Sequence, residues 1–306
     1  MVTQELPLIL FTILAQMSIG SFVILGILHF LASRKTDVKV LDRQTDLALI
    51  AIFPVLGLAL LASLFHLGNP FNAYYAVSNI AASWLSREIL AGVSFAVVGG
   101  LFVLLQWRKV GSFQLRNVIA WIAAIIGVAM VYIMFNVYQL PAQPAWGTVY
   151  NMISFFATTF LLGSLAVGAA LVASYMYLRN KELDKTEDLQ AVLRLSLKWV
   201  AGISIAMLGV QFLVIPLNLA LLASQGGAAA ASAGLYFGQY ATLFTIRLLL
   251  VFLGAGVLAS FIFRAAESAT GEKVYPVLVF VALAVVLASE LIGRFLFYAA
   301  KFRIGL

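Results

Sequence analysis

Eight apolar runs, each long enough to cross a bilayer, decide what fold is open to this sequence. They lie at roughly 6–32, 47–66, 86–106, 117–139, 151–177, 196–222, 239–263 and 274–300. About 20 apolar residues in a helix span the ~30 Å hydrocarbon layer, and a backbone in lipid must satisfy its own hydrogen bonds. The expected fold is an all-α integral membrane protein: a bundle of eight transmembrane helices forming a single domain over 1–306. Composition agrees, with 63% hydrophobic and only 10% charged residues, where a soluble domain has about a quarter charged. Residues 1–5 carry no Lys or Arg, so the first run reads as a retained span rather than a signal peptide.

Charge sets the orientation. Arg34, Lys35, Lys39, Arg43, Arg108, Lys109, Arg116, Arg179, Lys181, Lys185, Arg194, Lys198, Arg264 and Lys273 all fall at one set of helix ends. The other side has only Arg87, Lys301 and Arg303. The positive-inside rule puts the first set in the cytoplasm and both termini outside, in the periplasm of a Gram-negative cell. The net charge of +7 is thereby explained by the membrane and implies no nucleic acid. The long outer connections, 140–150 with Pro141, Pro144 and Trp146, and the Gly/Ala/Ser-rich 223–238, are expected to rest on the bilayer or against a partner.

One outer connection is more pointed. The second run ends at Phe65-His66-Leu67-Gly68-Asn69-Pro70, a helix stop with Gly at the left-handed position and Pro beyond. An aromatic segment with Phe71, Tyr74 and Tyr75 follows, and the third run starts at Trp84-Leu85-Ser86-Arg87-Glu88. His66 at a helix C-terminus and Glu88 in a first turn, behind Ser83 or Ser86, are each favoured by the helix dipole, so capping alone accounts for either one.

Arg247, Glu290 and Arg294 lie inside spans, where a charge costs about 2.5–3.5 kcal/mol and must face the bundle interior. Glu290 and Arg294, four apart, share a face and can pair. By depth, His66, Glu88, Gln211, Arg247, Glu290 and Arg294 occupy the same outer half of the membrane. If the second, third, seventh and eighth spans are neighbours, these residues line one polar cavity.

Cofactor chemistry is constrained next. With no cysteine, the protein has no disulfide, iron–sulfur cluster or thiolate metal site. His29 and His66, the two histidines, stand at opposite membrane faces and cannot share a haem. No haem and no metal are expected, and electrons handled here pass from a bound organic donor directly to a partner. A quinol giving up electrons needs acceptors for its hydroxyl protons and a base near neutral pKa, roles that suit His66 and Glu88. Arg247 or Arg294 can stabilise charge on a ring oxygen. Tyr74, Tyr75, Trp84, Phe295 and Tyr298 offer ring surfaces, although aromatics at this depth also form ordinary interfacial belts.

Phe65-His66-Leu67-Gly68-Asn69-Pro70, Leu85-Ser86-Arg87-Glu88-Ile89 and Glu290-Leu291-Ile292-Gly293-Arg294 with Phe297-Tyr298 resemble the membrane anchor subunit of dimethyl sulfoxide reductases, the DmsC type. The resemblance covers essentially the whole sequence. It implies a haem-free anchor in the bacterial or archaeal cytoplasmic membrane that oxidises menaquinol to menaquinone. Electrons would pass to a four-cluster iron–sulfur subunit and on to a molybdopterin catalytic subunit, in a heterotrimer whose catalytic partners lie on the periplasmic side. It implies His66 and Glu88 as the proton-handling residues, with Arg87, Arg247, Glu290, Arg294 and Tyr298 as further quinol-site positions. Two other readings stay open. A secondary transporter with a buried Arg/Glu site is one, although Pro54 and Pro216 sit at different depths, unlike the matched broken helices of such proteins. A purely structural anchor is the other.

Overall fold

The computed structural model describes residues 5–34, 38–64, 78–181, 186–268 and 271–304. These fold into helices with no strand among them: α1 (Leu6–Ala32), α2 (Val38–Leu64), α3 (Trp84–Arg108), α4 (Phe113–Asn136), α5 (Val149–Arg179), α6 (Thr186–Gln225), α7 (Gly227–Phe237), α8 (Ala241–Val251), α9 (Ala259–Glu267) and α10 (Tyr275–Ala299). A π-helical stretch, Phe252–Leu258, joins α8 to α9, so that the seventh span runs unbroken from Ala241 to Glu267. Eight spans are long and apolar enough to cross a membrane, and they coincide with the eight apolar runs.

Polar residues set several helix ends. Ser83, Ser112 and Thr148 sit at N-caps, their hydroxyls accepting from the backbone N–H of Ser86, Leu115 and Asn151, each satisfying one of the donors a helix start leaves free. Pro7 and Pro276 occupy first-turn positions, where no N–H is missed. Two helices begin about ten residues before the apolar run does. On α2 the extra turns carry Asp42 and Asp46, four apart on one face, and Lys109 at the end of α3 bridges both at 3.0 and 2.7 Å. Hydropathy cannot show a helix whose polar turns are held by a neighbouring span.

Two helices form the centre. In α1 and α5, 78% of the most apolar window is buried inside the protein, against 22–33% in the other six spans. The two backbones meet at Gly20 and Gly163: a Cβ on Gly163 would stand 2.6 Å from both Gly20 Cα and Ser21 N. Without a hydrophobic drive between helices in lipid, such small-residue contacts and interhelical hydrogen bonds hold spans together. Gln16 and Ser21 of α1 donate to the carbonyls of Phe155 and Gly163 on α5, at 3.4 Å each. Ser18 donates to Ile52 on α2, and Ser174 of α5 to Gln44 on α2.

Two connections at the end where the termini lie pack inward rather than lying out on a surface. Residues 137–148 fold over the bundle, burying Tyr138, Gln143 and Trp146. The Trp146 indole N–H donates to Phe297 O at 2.7 Å, and the two rings stack. The Gly/Ala/Ser-rich stretch becomes α7, entered through Gly226 and Gly227 at φ +72° and +51°, a backbone that glycine adopts freely. Ser232 of α7 accepts from Phe302 N at 2.9 Å. Lys301 reaches Glu5 at 2.9 Å, so both ends of the described structure meet here.

Candidate functional site

The intramembrane charges gather at the termini end, in two lobes on either side of an aromatic wall. The first lobe centres on Glu88. Because α3 starts at Trp84, Glu88 is one turn inside the helix, past the free N–H groups that a capping carboxylate would serve. It is 5% exposed, and its Oε1 has no hydrogen-bond partner among the described residues. Glu88 lies close enough to Tyr138 and Tyr298 to act on both electrostatically. These two buried phenols, from the loop after α4 and from the end of α10, hydrogen-bond to each other. Arg87, one residue earlier, points elsewhere. Its guanidinium donates to Ile80 O and Ala81 O at 2.9 and 2.7 Å and lies over the Trp84 ring, fixing the entry turn of α3.

Phe155, Phe297, Tyr138, Tyr298 and Trp146 form the wall. Arg294 crosses it. Its guanidinium carbon sits 3.9 Å from the Phe155 ring centre, a cation–π contact, and its Nη2 donates to Gln16 Oε1 at 2.8 Å.

The second lobe is a narrow slot with an open mouth. It lies between α5, α6, α7, α8 and α10, lined by Tyr150, Asn151, Ser154, Thr158, Asn218, Tyr236, Arg247, Glu290 and Arg294 among others. Glu290 and Arg294 do not form an ion pair. Thr158 donates to Glu290 Oε2 at 2.7 Å and Gln211 Nε2 to Oε1 at 2.8 Å, while Arg294 turns to Gln16. The reason is position: α5 and α6 present neutral donors directly to the carboxylate, and α1 presents an amide oxygen to the guanidinium. Arg247 is 8% exposed and its guanidinium bonds to no described residue. Gly293 makes room for it, since a Cβ there would collide with Nε and stand 2.7 Å from Cζ.

Of the residues singled out from sequence, Gln211, Arg247, Glu290 and Arg294 thus come together, with Tyr298 in the wall and Glu88 on its other side. Trp84 packs edge-on against Tyr132, and Phe295 against Tyr240. His66, Tyr74 and Tyr75 lie outside the described residues. His29 is at the far end of the bundle, 2.8 Å from Asp42. Three participants escape a sequence reading: Gln16, Thr158 and Tyr138. Gln16 had a signal, an amide inside an apolar run. Tyr138 had none, being one of several aromatics at a span end.

Known proteins supply the family. The one described as DMSO reductase anchor subunit (DmsC) matches residues 1–300. The sequence is 29% identical to the anaerobic dimethyl sulfoxide reductase chain YnfH of Escherichia coli (strain K12), over 99% of its own length and 97% of that relative's. It is equally similar, over the same shares, to the C chain of the anaerobic dimethyl sulfoxide reductase of the same organism. The corresponding C chain from Haemophilus influenzae is 30% identical over 55% of this protein and 58% of its own length. With the family match running almost end to end over eight membrane-length helices, this protein belongs to the DMSO reductase anchor subunit (DmsC) family.

Proposed function

We propose that this anchor subunit binds and oxidises a quinol, menaquinol, in the Glu88 lobe. The observation that carries the reading is the buried Glu88 Oε1 without a described partner, beside the Tyr138–Tyr298 pair. A buried acceptor left empty is costly unless a ligand fills it, and a quinol hydroxyl is a donor of the right kind. Within the phenol pair one O–H donates to the other, so the second hydrogen is free for the other ring oxygen.

The quinol loses two protons and two electrons. One proton passes to Glu88 and the other to His66, and the electrons leave through an iron–sulfur partner to a molybdopterin catalytic subunit. The relatives named as chains of an anaerobic dimethyl sulfoxide reductase support such partners. The Lys/Arg asymmetry supports placing the termini end, and with it this lobe and the catalytic partners, on the periplasmic side.

The test follows oxidation of a reduced menaquinol analogue by the complex purified with its partners. Glu88→Gln and His66→Ala should each slow it at least about tenfold with normal assembly. Wild-type rates in both variants would leave only a structural anchor. Since the sequence has no cysteine, a single cysteine placed at Phe302 and labelled from outside the cell tests the orientation. Protection of that cysteine in intact cells would reverse it.

A further inference from the structure

With the quinol placed at Glu88, the resemblance's further quinol-site positions Arg247, Glu290 and Arg294 stand in the second lobe, and the hydrogen-bonding groups there are unbalanced. Glu290 is the one carboxylate in the described lining, and both its oxygens already accept, from Thr158 and Gln211. Asn151 and Asn218 are committed to each other, to Thr148 and to the carbonyls of Ala145 and Trp146. What remains in the slot can donate: two guanidinium groups, which only donate, and hydroxyls, which do so as readily as they accept. The Arg247 guanidinium, nine-tenths buried, bonds to no described residue, and Arg294 Nε is buried and unpartnered among them. Tyr150, Ser154 and Tyr236 line the same space, and their hydroxyls make no hydrogen bond to a described residue.

The charge is unbalanced too. Two arginines face one carboxylate, and the arginines are near enough to repel one another. A buried cation without an anion loses several kcal/mol of hydration. Yet Arg247 is given a built seat, because Gly293 lets the guanidinium lie against α10.

We propose that the slot between α5, α6, α7, α8 and α10 is an oxyanion site that takes a phosphate group, held by Arg247, Arg294 Nε and the hydroxyls of Ser154 and Tyr236. A phosphate brings several acceptor oxygens to a wall of free donors, and a guanidinium fork matches two of them at once. The phosphate belongs either to an anionic phospholipid head or to free inorganic phosphate. The chemistry is shared, and the site is separate from Glu88.

The full-length protein, delipidated in detergent, is titrated with inorganic phosphate and separately with short-chain phosphatidylglycerol. The thermal unfolding midpoint and the bound stoichiometry by native mass spectrometry are both read. One equivalent should bind saturably and raise the midpoint. Arg247→Gln should weaken binding at least about tenfold and Tyr236→Phe about threefold, while Lys109→Ala, at the far end, leaves it unchanged. A response to phosphatidylglycerol alone identifies a lipid head, and a response to both identifies a site open to the free ion. No saturable response to either overturns the proposal, as does wild-type affinity in Arg247→Gln. Should that variant fail to fold, Ser154→Ala combined with Tyr236→Phe replaces it, and wild-type affinity there is equally fatal.

Discussion

The two ends of the bundle handle charge in opposite ways. At the far end, charges meet charges. His29 pairs with Asp42, Lys109 with Asp42 and Asp46, Arg179 with Glu272, and Lys198 with Glu267 at 3.9 Å. These side chains keep contact with the surroundings, Lys109 being 44% exposed. At the termini end, apart from the surface pair Lys301–Glu5, the charges inside the spans are buried and their partners are neutral: Thr158 and Gln211 for Glu290, Gln16 for Arg294, and no described residue for Arg247. Exposed pairs are screened and individually weak, so they serve as staples whose loss is tolerable. Buried charges held by dipoles are expensive to keep and are retained for chemistry or ligands. On the proposed function, the difference separates a scaffold end from a working end.

The contrast can be broken most sharply at Glu290. Glu290→Ala leaves two buried arginines with no carboxylate between them and should destabilise the protein by about 3 kcal/mol, read as a fall in unfolding midpoint in detergent. A negligible change would mean that the termini end is as well solvated as the other. Tyr138→Phe strands the Tyr298 hydroxyl in a buried site and should cost about 1–2 kcal/mol; a variant as stable as wild type would show that the pair is dispensable. Glu88→Gln is expected to leave stability within about 1 kcal/mol of wild type, because the amide keeps the shape of a side chain whose Oε1 has no described partner to lose, even as quinol oxidation falls. A large loss of stability instead would make Glu88 structural. Smallest of all, Lys109→Ala should shift stability by only about 0.5 kcal/mol, and less at high salt. A collapse of the fold in that variant would erase the distinction between the ends.

These energetics also explain what could be read in advance. The spans were legible because the membrane imposes one length and one composition on every helix that crosses it. The working end was legible in outline, since Arg247, Glu290, Arg294 and Gln211 stand out against apolar neighbours. Their division into two lobes was not, because the aromatic wall is made of Phe155, Tyr138 and Phe297, types that also fill lipid-facing surfaces. The expected Glu290–Arg294 pair followed from helical spacing within α10. It ignored the neutral donors that α5 and α6 bring from more than 70 residues away. Helix α7 was hidden because an Ala/Gly/Ser run carries little periodic signal, and its place is set by packing against α6 and α8 and by the Phe302–Ser232 hydrogen bond.

The Gly20–Gly163 crossing has a consequence for how the protein is made. Spans enter the bilayer in order as synthesis proceeds. Ser18 finds its acceptor, Ile52, as soon as the second span arrives. Ser21 and the amide nitrogen of Gln16 must wait for the fifth, and the amide oxygen of Gln16 waits for Arg294 on the last. The first helix is therefore the last to be finished, and a half-built molecule carries Gln16 and Ser21 in the bilayer without the partners they have in the complete bundle.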